Sequence, residues 1–415
     1  MADSSAPNPC LARISPVLDR LAAGMPRLGI ALSGGGDSMA LMHLAHDWGG
    51  ARLFAATVDH GLRPESAAEA QAAASSAAAL GIPHRTLCWR HGEVAGNVMA
   101  AARQARLDLL SAWGWEMGLS AVVLGHTLDD QAETVLMRLG RGAGVDGLSG
   151  MAERREAVGM VWLRPLLGVS RAELRDWLRG RGIGWTDDPS NRNPDFDRIR
   201  IRQGLGDLGL GAAQLAQSAQ NLAMAREALQ QMAAQAAEGA EARHGSLLLP
   251  LPPWRAAPAE IRRRLLVAGL RWVTGAAYPP RRAPVLAAIE RLMAGGRVTL
   301  DGVIAEIRGD RLALLREPAA AARGAAVPAR DEILWDNRWL LAGLRPSEQV
   351  RALGHDALRD LPWRESGLTR DEAAALPGIW SGAGLVAAPV LKSHPQVTVR
   401  PLRGTDEFRV MLYTH

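Results

Sequence analysis

Six consecutive residues, Ser33-Gly34-Gly35-Gly36-Asp37-Ser38, bring together two hydroxyls, a carboxylate and a glycine triplet. Glycine lets the backbone approach a ligand closely, so that unpaired N–H groups can converge on an anion. An apolar run, Leu28 to Leu32, precedes the segment, and a helical pattern through Leu41, Leu44, Ala45 and Trp48 follows it. Strand, glycine turn and helix N-terminus in that order make a phosphate site, to which Ser33, Ser38 and Asp37 add oxygen ligands suited to Mg2+. The common Gly-rich ATP loop also places a lysine on the phosphates. The only lysine of this chain is Lys392, so phosphate charge falls to backbone amides, arginine and metal. A glycine triplet alone is as often a plain strand-to-helix turn.

A second group is acidic. Asp129 and Glu133 stand four apart and Asp130 is four beyond His126, so the carboxylates gather on the first turn of a helix. Ala132, Val135, Leu136 and Leu139 form its opposite, apolar stripe. The helix dipole explains any one of these acids. Together with His126 they could bind Mg2+ alongside a nucleotide, or hold a cationic substrate. Arg103 and Arg106 share a face of the helix that Asn97 opens, beside Leu107, Leu110 and Trp113. A solvated arginine face competes there with phosphate contact. The glycine-rich stretch Arg141 to Gly147 reads either as a C-cap turn or as a mobile loop admitting a large substrate.

The elements that must position these groups alternate. Strand patterns at Leu28–Leu32, Leu53–Val58, Arg85–Cys88, Ala121–Leu124 and Val161–Leu163 interleave with helical ones near 38–48, 66–80, 97–117 and 129–139. This predicts a doubly wound parallel sheet of five strands, with ligands at the carboxyl ends. Strand one ends in the glycine loop, strand two in Asp59-His60-Gly61-Leu62-Arg63, and strand four in Gly125-His126-Thr127-Leu128-Asp129-Asp130. Three polar clusters should therefore meet at one edge. A capping box, Ser170 with Glu173, opens a further helix.

Four segments are expected: an N-terminal extension over 1–24, a nucleotide domain over 25–205, a mostly helical domain over 206–318 with a three-stranded tail, and a small C-terminal domain over 330–415. A Pro-rich link at 250–258 and an Ala-rich linker at 318–329 separate the later patterns, with hairpin turns at Asp301-Gly302 and Gly309-Asp310.

Composition narrows the class. All but one of the 48 basic residues are arginine and the net charge is +5, which modestly favours a nucleic-acid partner. No apolar run approaches the ~20 residues that span a bilayer. No signal peptide is read at the N-terminus, so a cytoplasmic protein is expected. Cys10 and Cys88 are too few for a disulfide framework, a zinc site or a cysteine-held cluster.

In this order the clusters resemble the N-type ATP pyrophosphatase (PP-loop) superfamily, and more closely the tRNA(Ile)-lysidine synthetases. Further matches are Asn97…Arg103-Gln104-Ala105-Arg106, the run Arg138 to Met151, Arg164-Pro165-Leu166-Leu167, and Trp185-Thr186-Asp187-Asp188-Pro189-Ser190-Asn191. The likeness is dense over 25–203 and thin after 330. The resemblance implies an adenine nucleotide α-hydrolase-like fold and a ligase for the CAU-anticodon isoleucine tRNA. Such an enzyme adenylates the wobble cytidine with ATP, and the ε-amine of free L-lysine then displaces AMP. It implies ATP on Ser33, Gly34, Gly35, Gly36, Asp37, Ser38, Asp59 and His60, and Mg2+ on Asp37 and Glu133. Arg106 would stabilise phosphate charge, and His126 and Asp130 would bind lysine. Arg103, Arg141, Arg198 and Arg202 would contact tRNA. Where relatives carry an Arg-Asn pair this chain has Arg198-Ile199, so that asparagine's role is not carried over. The oligomeric state stays open, a homodimer included. A PP-loop tRNA thiolase is the alternative, and a non-enzymatic nucleotide sensor a more remote one.

Overall fold

The computed structural model describes residues 9–61, 66–90, 98–186, 201 and 209–413. The chain divides into two compact units, Met1–Arg226 and Glu227–His415.

The first unit opens with α1 (Pro9–Leu21) and continues β1 (Arg27–Ala31), α2 (Gly36–Trp48), β2 (Arg52–Asp59), α3 (Ser66–Ala79), β3 (His84–Cys88), α4 (Val98–Glu116), β4 (Ala121–Val123) and α5 (Leu128–Leu139). Then come α6 (Val145–Leu148), β5 (Arg154–Ala157), β6 (Met160–Leu163) and α7 (Arg171–Gly180). The five parallel strands foreseen are β3, β2, β1, β4 and β6, in that spatial order. A sixth strand, β5, pairs antiparallel with β6 at the edge. It escapes sequence reading because Arg154-Arg155-Glu156-Ala157 is charged and exposed, the composition that protects a free edge.

Alternation along β1 assigns its two faces. Leu28 and Ile30 pack with α1, α2, α3 and α7, while Ala31 joins Phe54, Leu110, Trp113 and Trp162 on the other side. Gly29 is required on that second face. A Cβ there would lie 2.6 Å from both Trp113 and Leu119. α1 buries Ile14, Leu18 and Leu21 in the first core, so residues expected as an extension pack as part of the sheet's own cover. Because β2 and β3 lie to one side of β1 and β4 to the other, the strand order reverses between β1 and β4. Loops leaving their carboxyl ends there diverge and leave a crevice.

The boundary between units falls within α8 (Ala212–Ala236). In the second unit β7 (Glu241–Arg243), β8 (Ser246–Pro250), β9 (Val298–Leu300), β10 (Val303–Arg308) and β11 (Arg311–Arg316) form an antiparallel sheet in the order β7-β8-β11-β10-β9. It packs with α10 (Ala259–Thr274) and α11 (Arg282–Met293). The turn at Asp301-Gly302 has both residues at positive φ, as the hairpin reading requires. The Pro-rich link is instead the end of β8 and a short helix, α9 (Leu251–Ala256), whose prolines sit in the first turn where no N–H is needed. The Ala-rich linker is likewise a helix, α12 (Pro318–Arg323), with Ala320 and Ala321 buried.

Beyond it lie β12 (Val327–Pro328), β13 (Ile333–Trp335), β14 (Trp339–Ala342), β15 (Gln349–Ala352), α13 (Gly354–Ala357), α14 (Arg370–Ala374), β16 (Pro377–Ser381), β17 (Gly384–Ala387), β18 (Thr398–Pro401) and α15 (Thr405–Tyr413). The strands form two small sheets, β12-β15-β16-β17 and β13-β14-β18. No helix among the described residues is long and apolar enough to cross a membrane.

Candidate active site

The glycine loop leaves β1 and is tied by its own serines. Ser38 Oγ accepts from the Ser33 N–H at 3.1 Å, lies 3.0 Å from Ser33 Oγ, and donates to Gly35 O at 2.9 Å. Gly34 holds φ at +80°, which a side chain would strain. Gly35 caps α2, so the first-turn N–H groups face the loop without intrahelical partners. Thr186 donates its N–H to Gly34 O at 2.9 Å, and the indole of Trp185 lies 3.4 Å from where a Gly36 Cβ would stand. The Trp185-Thr186 pair thus walls one side of the loop. Asp187 to Asn191 lie outside the described residues.

The loop after β4 meets this one backbone to backbone. A Cβ on Gly125 would lie 3.0 Å from Asp37 O and 3.1 Å from Ser38 N, so glycine is what permits the approach. Thr127 then caps α5 in a reciprocal box with Asp130. The Thr127 N–H and Oγ1–H both donate to Asp130 Oδ2 at 2.8 Å. One Asp130 oxygen therefore has the structural role that a first-turn acid normally has. The other does not.

Asp130 Oδ1 accepts from Arg171 at 3.1 Å. The same guanidinium donates through Nε to Asp37 Oδ2 at 3.0 Å and lies 3.6 Å from Glu133 Oε1. The Arg171 backbone N–H, an orphan of the first turn of α7, is taken by Asp129 Oδ2 at 2.7 Å. Four carboxylates, one from α2 and three from α5, thus surround one arginine whose side chain is only 18% exposed. Facing carboxylates hold Arg171 above even the ordinary guanidinium pKa, although burial opposes its charge. The Asp37 pKa is raised as well, but there burial is the cause: it outweighs Arg171, the charge of Asp130 adds to the rise, and the charged form is disfavoured. Asp37 Oδ1 is buried and has no hydrogen-bond partner among the described residues.

Sequence reading missed Arg171, yet a signal existed. It is the first helical residue after the Ser170 cap, where the dipole disfavours a cation. A basic residue there asks for a reason, and the carboxylates supply it.

The remaining expected residues fall in different places. Asp59 Oδ1 accepts from the Gly61 N–H at 2.9 Å, and this bond, with one from Ser66, lowers its pKa. It shapes the turn after β2. His60 stands edge-on to Trp89, with centroids 6.0 Å apart. His126 accepts at Nδ1 from Arg164 Nε at 3.2 Å. Arg103 and Arg106 lie on α4, where burial and the like charge of Arg103 push the Arg106 pKa down. Arg141 is exposed beyond α5. The glycine-rich stretch following it is pinned, because Arg138 donates to both Gly147 O and Gly150 O at 2.8 and 2.9 Å. Of the two readings of this stretch, the turn is the one the structure supports. Asn97, Arg198 and Arg202 lie outside the described residues.

Among the described residues no group of three His, Cys, Asp or Glu side chains forms a metal cage. Mg2+ does not require one. It commonly takes one or two carboxylates and fills its other positions with water and substrate phosphates. The unpartnered Asp37 oxygen beside the glycine loop fits that pattern. The two cysteines lie apart in the fold, one buried and one exposed. Cys10 is buried in α1, with its thiol pKa raised by burial, and Cys88 ends β3.

Residues 12–208 match the PP-loop domain family. A tRNA(Ile)-lysidine synthase of Ruegeria pomeroyi is 44% identical over 398 residues, 94% of this chain and 94% of that protein. The tRNA(Ile)-lysidine synthase of Bradyrhizobium diazoefficiens is 38% identical over 72% of this chain and 92% of its own length. Among solved structures, the U34-tRNA thiolase NcsA from Methanococcus maripaludis is similar at a TM-score of 0.43 and 18% identity, over 51% of this chain and 80% of that one. At that level the likeness carries no functional weight.

Proposed function

The chain belongs to the tRNA(Ile)-lysidine synthase family, and from that premise we propose that it joins the ε-amine of free lysine to C2 of the wobble cytidine in CAU-anticodon isoleucine tRNA. ATP supplies the energy. The chemistry needs it because a ring carbonyl is a poor electrophile. Transfer of AMP to the C2 oxygen, with pyrophosphate leaving, turns that oxygen into a leaving group. The neutral amine then attacks C2, the C2–O bond breaks, and AMP departs.

The observation that carries this reading is the meeting of Asp37 and Asp130 on one cation beside the glycine loop. A seat built for a guanidinium is charged and shaped to take cations. At its rim, Asp130 would orient the lysine amine, and Asp37 would offer its unpartnered oxygen to Mg2+, with Glu133 behind them on Arg171. Bound there, Mg2+ would neutralise charge on the triphosphate. Ser33, Gly34, Gly35, Gly36 and Ser38 would cradle the pyrophosphate on backbone amides, with His60 and the turn that Asp59 shapes beside the nucleotide. Burial and the like charge of Arg103 depress the Arg106 pKa, and a phosphate beside it would offset both. One such preorganised donor is worth about 3–4 kcal/mol in a transition state. Arg103, Arg141, Arg198 and Arg202 would hold the tRNA backbone.

Purified protein given Mg2+, ATP, labelled lysine and this tRNA should place label in the tRNA with release of AMP and pyrophosphate. Folded protein that binds ATP but incorporates no lysine would refute the reading. Sulfur transfer from a sulfur donor would put the thiolase in its place.

A further inference from the structure

Apart from the carboxylate cluster, one buried contact at this edge has a fixed proton direction. Arg164 follows β6 and is 9% exposed. Its Nε donates to His126 Nδ1 at 3.2 Å, and its Nη1 donates to Ala152 O at 2.8 Å. A guanidinium offers five N–H donors and no acceptor, and it does not give up its proton in a protein. The ring nitrogen that faces it must therefore present a lone pair. A neutral imidazole with its lone pair on Nδ1 carries its one proton on Nε2. The wider field agrees with this geometry. Burial, together with Arg155, Arg103 and Arg138, lowers the Arg164 pKa to about 10, so a further positive charge on the adjoining ring would meet the same repulsion.

We propose that Arg164 is a positioning residue that locks His126 as the neutral Nε2–H tautomer, making His126 a hydrogen-bond donor to an anionic substrate oxygen and not the base that takes the amine's proton. The inference rests on the lysine-ligase reading of the site. It divides the two residues expected to bind lysine. A ring N–H and an ammonium are both donors and repel, so the amine belongs to Asp130. His126 suits an anionic oxygen, a chemistry shared by the carboxylate of lysine and the phosphate of the adenylated cytidine.

Two measurements test it on the full chain. Histidine-selective 15N NMR, with His126 assigned by difference from His126→Gln, should show an unprotonated Nδ1 and a protonated Nε2. The side chain of glutamine can place an N–H where Nε2 stands, whereas that of asparagine mimics Nδ1. His126→Gln should therefore keep lysine transfer within about tenfold of wild type, and His126→Asn should lose roughly 100-fold or more, the usual cost of one preorganised donor. A rise in lysine KM in the Asn variant, with adenylation of tRNA in the absence of lysine unchanged, identifies the lysine carboxylate as acceptor. Slowed adenylation identifies the phosphate. Arg164→Met should release the lock, with both 15N resonances moving toward averaged values, in protein whose melting profile shows it folded. A proton on Nδ1, a doubly protonated ring, or Gln and Asn variants equally inactive would overturn the proposal. Failure of the ligase reading looks different: wild-type protein would incorporate no lysine while the tautomer still reads as locked.

Discussion

Replacing Arg171 by methionine removes the charge and keeps much of the side-chain length, and it strikes the centre of the site. Three carboxylates contact this guanidinium, at 3.0, 3.1 and 3.6 Å, and the Glu133 side chain is only 3% exposed. Taking away one partner of a buried ion pair costs about 3–5 kcal/mol, chiefly because the other charge is left uncompensated. Asp37 and Asp130 keep some contact with solvent, so the low end applies, about 3 kcal/mol. For a unit of this size each kcal/mol moves the midpoint by roughly 2–4 °C, which gives a fall of about 6–12 °C in the first unit's transition. Scanning calorimetry should show that fall, with the second unit's transition in place. Mg2+ then provides an internal control. If Mg2+ binds here as proposed, in wild type it would compete with Arg171 for the carboxylates, whereas in Arg171→Met it would meet them unneutralised. At tenfold over its dissociation constant the ion would return about 1.4 kcal/mol, or roughly 3–6 °C. An Arg171→Met protein that melts with wild type, or that gains no more from Mg2+ than wild type does, would refute the reading of Arg171 as the cation that holds this cluster together.

Other perturbations follow from single contacts. Gly125→Ala drives a methyl against the backbone of Asp37 and Ser38; overpacking of this kind costs about 1–3 kcal/mol, and ATP binding, measured by calorimetric titration, should weaken at least tenfold while the second unit's melting stays unchanged. Asp37→Asn should abolish lysine transfer and leave tRNA affinity within a few-fold. Because burial raises the Asp37 pKa, its ionised form is a liability to the fold. The Asn variant should therefore be at least as stable as wild type at neutral pH, and any advantage should fade as pH falls through the raised folded pKa and Asp37 takes up its proton. In the second unit, burial opposes ionisation of Glu372, yet the Thr369 N–H and Arg308 outweigh it and hold the pKa down. Glu372→Gln should cost about 2 kcal/mol at neutral pH. That gap should close as pH falls below the ordinary carboxylate range toward the lowered folded pKa, and melting curves at several pH values would check it.

Much of the sheet was legible because its signals are local. The β1, β2, β3, β4 and β6 patterns were short apolar runs, and each was followed by a helical repeat or a glycine turn within a few residues. The hairpin at Asp301-Gly302 and the Ser170 capping box are likewise written in adjacent residues. β5 was not, because Arg154-Arg155-Glu156-Ala157 has no apolar face to betray it. α9 and α12 were obscured by proline and alanine, which read as linkers until Trp254 and Ala321 are seen buried. Among site residues, a spacing of four put Asp129, Asp130 and Glu133 on one turn, but the same spacing could not tell a cap from a ligand. Asp130 caps α5 with one oxygen on Thr127 and pairs with Arg171 through the other.

Residue order by itself determined the glycine loop, the acidic turn and the edge at which they lie, since backbone propensity and helix period act over a few positions. Only the folded chain decided who partners whom. Arg171 reaches Asp130 across 41 residues and Asp37 across 134, and Arg164 reaches His126 across 38. Those pairings depend on the reversal of strand order between β1 and β4 and on the close approach that Gly125 allows. No local period encodes them, because they are set by the three-dimensional order of the sheet.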